Sequence, residues 1–416
     1  MRATTIGLIV FVMTLGACGG GAADDSSSSP ETLATPPSWV QGPTTYDATP
    51  CGVAVDATSL YVAGSDHATG LGDAQWRIEK RTLDGALDTT FGVAGAIREN
   101  LTTEDEGVCA MAMDADSLYL AGTLGGAGQG AWRIEKRSRT TGALDAAFGS
   151  GGAITSDPSG SDDAPHAILV LNGSIYTAGS QGSSAWRIEK RSAATGAFDG
   201  GFGVLGAVVS DPSAGDDQAM AMATDGAALY IAGTTTSVDA GRSNLAWRVE
   251  KRSLADGALN GAFGTGGAIA TNPTTGDDTL TAIAVDAASV YMAGSDMGSA
   301  GGSAEWRIEK RSSVNGALDA GFGVVRCDAT AGDDRAVAIA VDGSSVHIAG
   351  FDMGASDGGS RWRLEKRSVV DGAKETTQTA VVGQAMAIAV DATTVTVAGT
   401  SRADVNLAWQ VMRGAK

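Results

Sequence analysis

The chain has 416 residues, and its 29 Lys and Arg against 48 Asp and Glu leave a net charge of −19 at pH 7. A nucleic-acid binder needs a basic surface to displace the counterions of phosphate, so this charge excludes DNA and RNA as expected partners. Glycine accounts for 59 residues and aromatic residues for 5%, a composition that favours many short strands and turns around a core of small side chains.

The first 17 residues have the pattern of an export signal. Arg2 precedes an apolar run from Ile6 to Leu15, and the run ends in Leu15-Gly16-Ala17-Cys18. The run is too short to span a bilayer comfortably, and small residues before a cysteine suit a signal peptidase. Residues 1–17 resemble a bacterial lipoprotein signal peptide. The resemblance implies that Cys18 is lipidated, and the alternative is an ordinary signal peptide cleaved nearby.

Residues 18–36 are predicted to be a disordered tether between the lipid and the folded domain. They are rich in Gly, Ala, Asp and Ser and end in prolines, so they cannot bury a core. In lipoproteins of the kind this segment resembles, an aspartate after the cysteine retains the protein at the inner membrane. Gly19 stands there, so we expect an envelope lipoprotein of the outer membrane in a Gram-negative host, held by its lipid.

Seven related units follow from about residue 48 to residue 413. Each contains a string such as Trp76-Arg-Ile-Glu-Lys-Arg81, and upstream of it a string such as Leu60-Tyr-Val-Ala-Gly64. Four short strand-like segments per unit, without helical periodicity, are typical of propeller blades. The predicted fold is all-β: a seven-bladed β-propeller of four-stranded antiparallel blades over residues 37–416. The tryptophans that mark the units are Trp76, Trp132, Trp186, Trp247, Trp306, Trp362 and Trp409.

The segment LDTTFGVAGAI at 87–97 recurs as LDAAFGSGGAI, FDGGFGVLGAV and LNGAFGTGGAI. These segments resemble the delta-60 repeat of bacterial extracellular propeller-type proteins. The resemblance implies a secreted or surface-exposed propeller of largely undefined role, without catalytic residues to carry over. The sixth unit has Lys374-Glu-Thr-Thr-Gln378 instead, so its outer strand is predicted to be degenerate.

The seventh unit, from about Gln384 to Met412, contains only three predicted strands. A closed ring needs a fourth, because an exposed edge strand is a liability. In other units an apolar residue lies twelve positions before the start of the innermost strand, and counting back twelve from Cys51 reaches Trp39. We therefore predict that residues 38–44 form the outer strand of the last blade.

Two sets of charges repeat with the blades. Arg77, Glu79 and their copies lie on the strand face opposite the tryptophan, and we interpret them as a structural Arg-Glu ladder near a neighbouring blade's indole. Acidic residues also precede the innermost strands, where they cap turns and aid solubility, bind a cation such as calcium, or recognise a partner. No EF-hand spacing accompanies them. The acidic rim comprises Asp105, Asp162, Asp163, Asp216, Asp217, Asp277, Asp278, Asp333 and Asp334.

Almost all length variation between units lies between the Ala-Gly pair and the tryptophan, in the loop between the second and third strands. Such loops share one face with the acidic rim, and loops on a rigid scaffold commonly bind ligands. We predict that this face is the working one, although each residue taken alone is typical of a solvated loop. The candidate contacts are Asp66, His67, Asp73, Asp239, Arg242, Asp296, Asp352 and Asp357.

Cys51 and Cys109 occupy the same position in the innermost strands of adjacent units. They are predicted either to form a disulfide in an oxidising compartment or to remain buried thiols, and Cys327 would be left unpaired. His166 holds the same position in the next unit, which leaves a Cys-Cys-His cluster near the channel as a further alternative. No CxxC or HxxxH spacing supports a metal site.

The predicted function is a monomeric, non-catalytic binding or interaction module for a protein, a glycan or a cation. No sialidase Asp-box and no Ser/His/Asp signature is present. The alternatives are a propeller enzyme acting on glycans as hydrolase or lyase, or a purely structural surface scaffold, because a fold alone does not decide function. No cofactor is certain, and calcium is the one that the rim suggests.

Overall fold

The computed structural model describes residues 38–40, 48–67, 73–125, 130–182, 184–239, 242–297, 302–328, 330–354, 359–378, 381–402 and 407–416. The predicted signal peptide, Cys18 and the tether lie outside these residues, and so do Asp357 and residues 41–44 of the predicted closing strand. Within the described part of the chain, no helix is long and apolar enough to cross a membrane.

The described strands form seven separate four-stranded antiparallel sheets, which confirms the predicted seven-bladed propeller. Blades are numbered in chain order, and strands are given from the innermost outward. Blade 1 contains β2 (Ala48–Val55), β3 (Ser59–His67), β4 (Ala74–Thr82) and β5 (Ala96–Glu99). Blade 2 contains β6 (Gly107–Met113), β7 (Ser117–Leu124), β8 (Ala131–Ser138) and β9 (Ala153–Ser156). Blade 3 contains β10 (Ala164–Leu171), β11 (Ser174–Gln181), β12 (Ala185–Ser192) and β13 (Ala207–Ser210).

The remaining blades follow the same order. Blade 4 contains β14 (Gln218–Thr224), β15 (Ala228–Asp239), β16 (Arg242–Ser253) and β17 (Ala268–Thr271). Blade 5 contains β18 (Thr279–Val285), β19 (Ser289–Met297), β20 (Ala304–Ser312) and β21 (Val324–Cys327). Blade 6 contains β22 (Asp334–Val341), β23 (Ser345–Met353), β24 (Ser360–Ser368) and β25 (Lys374–Gln378). Blade 7 contains β26 (Gly383–Val390), β27 (Thr394–Arg402), β28 (Leu407–Ala415) and β1 (Ser38–Val40).

The ring is closed by both ends of the chain, as predicted. β1 lies antiparallel to β28, with Trp39 opposite Val411, so the first described strand completes the last blade. This pairing covers the edge that β28 would otherwise expose.

Each tryptophan joins its blade to the next. The Trp76 indole N–H donates to the Thr123 carbonyl of blade 2 at 3.3 Å, and Trp409 of blade 7 returns the contact to Ser65 of blade 1 at 3.3 Å. The other five tryptophans make the same bond. A Cβ at Gly122 would lie 2.7 Å from the Trp76 ring and 2.2 Å from the Gly107 carbonyl oxygen, which explains why glycine recurs in the Ala-Gly pair.

The innermost strand of every blade carries one residue that the strand pairing skips, the pattern of a β-bulge. In β2 the irregularity lies between Pro50 and Gly52, at Cys51. Cys109 and His166 hold the same place in β6 and β10, as the sequence predicted. The full set of residues in this bulge position is Cys51, Cys109, His166, Met220, Thr281, Val337 and Met386.

Blade 6 departs from the prediction of a degenerate outer strand. Lys374–Gln378 forms β25, which pairs with β24 after a register shift between Lys366 and Arg367. Backbone pairing does not require the missing Leu-Asp-x-x-Phe-Gly side chains. What blade 6 lacks is the tyrosine–phenylalanine edge contact of blades 1 to 5, because His347 replaces the tyrosine and the segment Lys374–Gln378 contains no phenylalanine. His347 bonds Asp342 at 3.0 Å instead.

Deletion of residues 36–45 should lower the thermal unfolding temperature of the full chain substantially, because β28 loses its only outer partner among the described strands. Differential scanning calorimetry of the deletion and of the wild type measures the loss. Deletion of residues 20–29, an equal length within the predicted tether, is the control and should leave the unfolding temperature unchanged. Equal unfolding temperatures for both deletions would contradict closure by β1.

Candidate functional site

The candidate site is the end of the ring that carries the loops between second and third strands and the loops leading into the innermost strands. We call it the variable face. The two kinds of loop are in contact there, since the Ala74 amide at the start of β4 donates to Asp105 at 2.7 Å, just before β6. The sequence predicted that these loops share one face.

The repeated Arg-Glu charges hold adjacent blades together. Glu189 is fully buried and accepts from Arg187 Nε at 2.7 Å and from Arg191 Nε at 2.8 Å. The Arg77 guanidinium in turn lies 4.6 Å from the Trp409 ring of blade 7. The predicted ladder is thus a structural element. Equivalent glutamates flanked by two arginines are Glu79, Glu135, Glu250, Glu309 and Glu365.

The second residue of each acidic pair is a buried hydrogen-bond acceptor. Asp163 is 1% exposed. Its carboxylate accepts from the Ser159 amide at 3.0 Å, the Ser159 hydroxyl at 2.7 Å and the Gly182 amide at 2.7 Å. This arrangement organises the loop and ties it to the end of the second strand. The same arrangement recurs at Asp217, Asp278 and Asp334.

The first residue of the pair reaches the preceding blade. Asp162 accepts from the Gly130 amide at 3.1 Å, and the Asp163 amide donates to the Gly130 carbonyl at 2.8 Å. Asp105, Asp277 and Asp333 each accept a hydrogen bond from the equivalent backbone amide. At Asp216, the backbone carbonyl instead accepts a hydrogen bond from the Thr236 hydroxyl. Within the described ranges, no group of three or more His, Cys, Asp or Glu side chains is arranged to hold a metal ion.

A third set of polar residues does not repeat around the ring. The residue before the tryptophan is alanine in blades 2, 3, 4 and 7, but Gln75, Glu305 and Arg361 in blades 1, 5 and 6. In the same three blades the residue opposite it on the second strand is an aspartate. These aspartates are Asp66, Asp296 and Asp352, three of the predicted contacts.

In blade 1 every charge of this set is compensated. Asp66 is fully buried and accepts from Gln75 Nε2 at 2.8 Å, Arg77 at 3.1 Å and Arg98 Nε at 3.1 Å. Arg98 itself is 44% exposed and so presents part of its guanidinium at the variable face.

Blade 5 replaces the amide of this arrangement with a carboxyl group. Asp296 accepts from Arg307 and Arg326, both at 2.8 Å, and Glu305 lies opposite it. Burial, followed by the charge of Asp296, raises the pKa of Glu305 to about 7. In blade 6, burial raises the pKa of Asp352 to about 7 despite Arg363 at 3.4 Å.

The other predicted contacts are distributed along the rim. His67 Nε2 lies 4.0 Å from Asp105 Oδ1. The Asp73 carboxylate accepts a hydrogen bond from Asn100 Nδ2 at 3.1 Å. Asp239 and Arg242 are opposite each other in the backbone pairing of β15 with β16. Gln75, Glu305, Arg326 and Arg361 were not among the predicted contacts. The alanine before the tryptophan in the other four blades is the signal that could have found Gln75, Glu305 and Arg361, whereas Arg326 lies on an outer strand, away from that position.

Cys51, Cys109 and Cys327 are free thiols in the structure. The Cys51–Cys109 disulfide is therefore not formed here and stays a prediction for the oxidised protein. Burial raises the pKa of Cys109 to about 11 and lowers that of His166 to about 4, so both groups are neutral at pH 7.

No protein-family model and no curated protein matches the chain. The resemblance to delta-60 repeats thus rests on the residues quoted above. Among solved structures, the computationally designed Ika8 protein matches 90% of this chain and 89% of its own, with 10% identity and a TM-score of 0.41. A GH43 endo-arabinanase from Bacillus licheniformis matches 60% of this chain and 91% of its own, with 10% identity and a TM-score of 0.31. Likeness at this level carries no functional argument.

Asp163→Asn should lower the free energy of unfolding by about 1–3 kcal/mol, because the amide nitrogen would face buried donors. Asp162→Asn is the control, since its remaining oxygen can still accept the Gly130 amide, and it should cost less. Denaturant unfolding with calcium and with chelator measures both variants. A calcium-dependent stabilisation of the wild type that Asp163→Asn abolishes would instead identify the rim as a cation site.

Proposed function

We propose that the protein is a lipid-anchored β-propeller of the cell envelope that binds a partner, a protein or a glycan, through its variable face without catalysis. The fold supplies a rigid ring, and the variable face is where the ring departs from its own repeat.

The observation that carries this proposal is the set of non-repeated polar and charged residues at the start of the third strands, on the variable face. A residue that the ring needs in order to close recurs in nearly every blade, as the tryptophans and the Arg-Glu ladder do. Gln75, Glu305 and Arg361 break the pattern at the start of the third strand. At the opposite end, Asp56 and its copies form near-identical turns, each accepting amides two and three residues later.

The charges of the variable face favour a polar macromolecule over a bound cation. The second aspartates of the rim are occupied by backbone amides and hydroxyls, so they offer few free oxygens to a metal. The side chains of Arg98 and Arg326 are 44% and 38% exposed, and the carboxylate Asp105, elsewhere on the same rim, is 73% exposed. Mixed exposed charges on a fixed scaffold suit a protein surface or a glycan with anionic groups. Cation binding remains the less favoured form of the proposal.

The alternative function, hydrolysis or cleavage of glycans, would use a pair of carboxyl groups beside the scissile bond. Asp296 and Glu305 are such a pair by residue type, but Asp296 is fully buried and Glu305 is 8% exposed. A sugar could not reach both carboxyls in this arrangement, so the pair favours an internal role. A purely structural scaffold is the second alternative and would leave the variable face without a ligand.

The binding proposal is tested by screening the purified full chain against envelope glycans and envelope proteins by surface plasmon resonance. For any ligand found, Arg326→Ala should weaken the affinity at least tenfold, because it removes an exposed cation from the variable face. Lys374→Ala, an exposed lysine at the opposite end, is the control and should have no effect. Release of shortened glycan products would favour the enzyme, and a ligand sensitive only to Lys374→Ala would contradict the assigned face.

The anchoring proposal is tested separately with Cys18→Ser. In a Gram-negative host grown with labelled palmitate, the wild type should carry label and sediment with the outer membrane, and Cys18→Ser should do neither. Cys51→Ser is the matched control and should retain both label and location. A Cys18→Ser protein that still carries label and sediments with membranes would overturn lipidation at this residue.

A further inference from the structure

We propose that the Asp296–Glu305 carboxyl pair is a proton-operated lock on the junction between blades 4 and 5. With one proton shared, the pair is closed by a hydrogen bond. Without that proton, two facing carboxylates repel each other and loosen the junction at the variable face. The inference does not depend on which partner the face binds.

Blade 1 shows what the closed lock looks like. There, Gln75 occupies the place of Glu305 and donates its amide N–H to Asp66 Oδ1 at 2.8 Å. The two arginines are also matched, Arg77 with Arg307 and Arg98 with Arg326, since each pair holds equivalent positions on the third and fourth strands.

In blade 5 the donor of this bond must be a carboxyl proton. Asp296 is fully buried, and its Oδ1 atom has no hydrogen-bond partner unless Glu305 is protonated. Only the protonated Glu305 can reproduce the bond that Gln75 makes. The raised pKa of Glu305, about 7, agrees with this geometry.

The two arginines beside the Asp296–Glu305 pair already bind other carboxylates or bind Asp296 more closely than Glu305. Arg307 bonds Glu309 through Nε at 2.8 Å as well as Asp296. Arg326 lies 2.8 Å from Asp296 but 3.4 Å from Glu305. A second negative charge on Glu305 would therefore find only the weaker contact with Arg326.

The remaining neighbours of the pair are negative or uncharged. The charge of Asp328, after β21, raises the pKa of Glu305, and Asp278, before β18, interacts with the charge of Asp296. From blade 4, the Trp247 ring lies 5.6 Å from the Arg307 guanidinium. The junction thus offers no further described cation to balance a fully ionised pair.

The direction of the pH effect follows from proton linkage. The folded protein holds a proton on Glu305 up to about pH 7, whereas the unfolded chain releases it near the ordinary value of 4.5. The stabilisation is complete below the unfolded pKa and is lost as the pH rises through the folded pKa. Rising pH should therefore loosen blade 5 against blade 4.

The test compares the full-length wild type with Glu305→Gln, which reproduces the blade 1 arrangement and so should fold. Between pH 5.5 and pH 8.5, the unfolding temperature of the wild type should fall by about 3 °C more than that of Glu305→Gln. The titration of Asp352 affects both proteins equally and cancels in the difference. Parallel pH profiles would overturn the proposal.

Two further measurements locate the effect. Hydrogen exchange, corrected for intrinsic rates, should accelerate in β20 of the wild type as the pH rises and stay constant in Glu305→Gln. Gln75→Glu should create a second lock and add a second pH-dependent fall in unfolding temperature. Exchange that accelerates equally in all blades, or a Gln75→Glu profile parallel to that of the wild type, would also contradict the lock.

Discussion

The structure depends on the contact of each tryptophan with the next blade. Seven indole N–H groups donate to seven carbonyls around the ring, and the last bond, from Trp409 to Ser65, joins residues 344 positions apart. A sheet with two apolar faces is stable only when both are covered, so each blade depends on its neighbours. The glycine of the Ala-Gly pair, the Arg-Glu ladder and the pairing of β1 with β28 all serve this packing. Each blade is thereby held between two neighbours, and this packing sets the positions of the loops on the variable face.

Carboxyl groups of the same residue type have different roles here because their partners differ. Asp163 accepts three hydrogen bonds from amide and hydroxyl groups and organises a loop. Asp66 is neutralised by two arginines and an amide. Asp296 faces another carboxyl group, so one proton decides the local balance of charge. Burial amplifies each difference, because an uncompensated charge away from water is costly.

Because the blades repeat so closely, a residue that departs from the repeat indicates a role that is particular to its own blade. The Arg-Glu ladder repeats in six blades, so ring assembly explains its presence. Glu305 in place of alanine adds an ionisable group that ring assembly does not need. Its position at the end of β20 nearest the variable face places this ionisable group next to the proposed binding surface.

The sequence by itself determined the seven blades, their four strands, the closing strand at Trp39 and the structural role of the Arg-Glu ladder. Each of these follows from a sequence pattern that recurs from unit to unit, and a recurring sequence pattern indicates that the same packing recurs from blade to blade. The tertiary structure alone decided what the single residues do. Gln75 and Glu305 acquire meaning only when β-pairing places them opposite Asp66 and Asp296, and residues on outer strands, Arg98 and Arg326, complete the same clusters. The charge of each of these two aspartates is balanced by residues up to 32 positions away in the sequence. No short sequence pattern contains both partners.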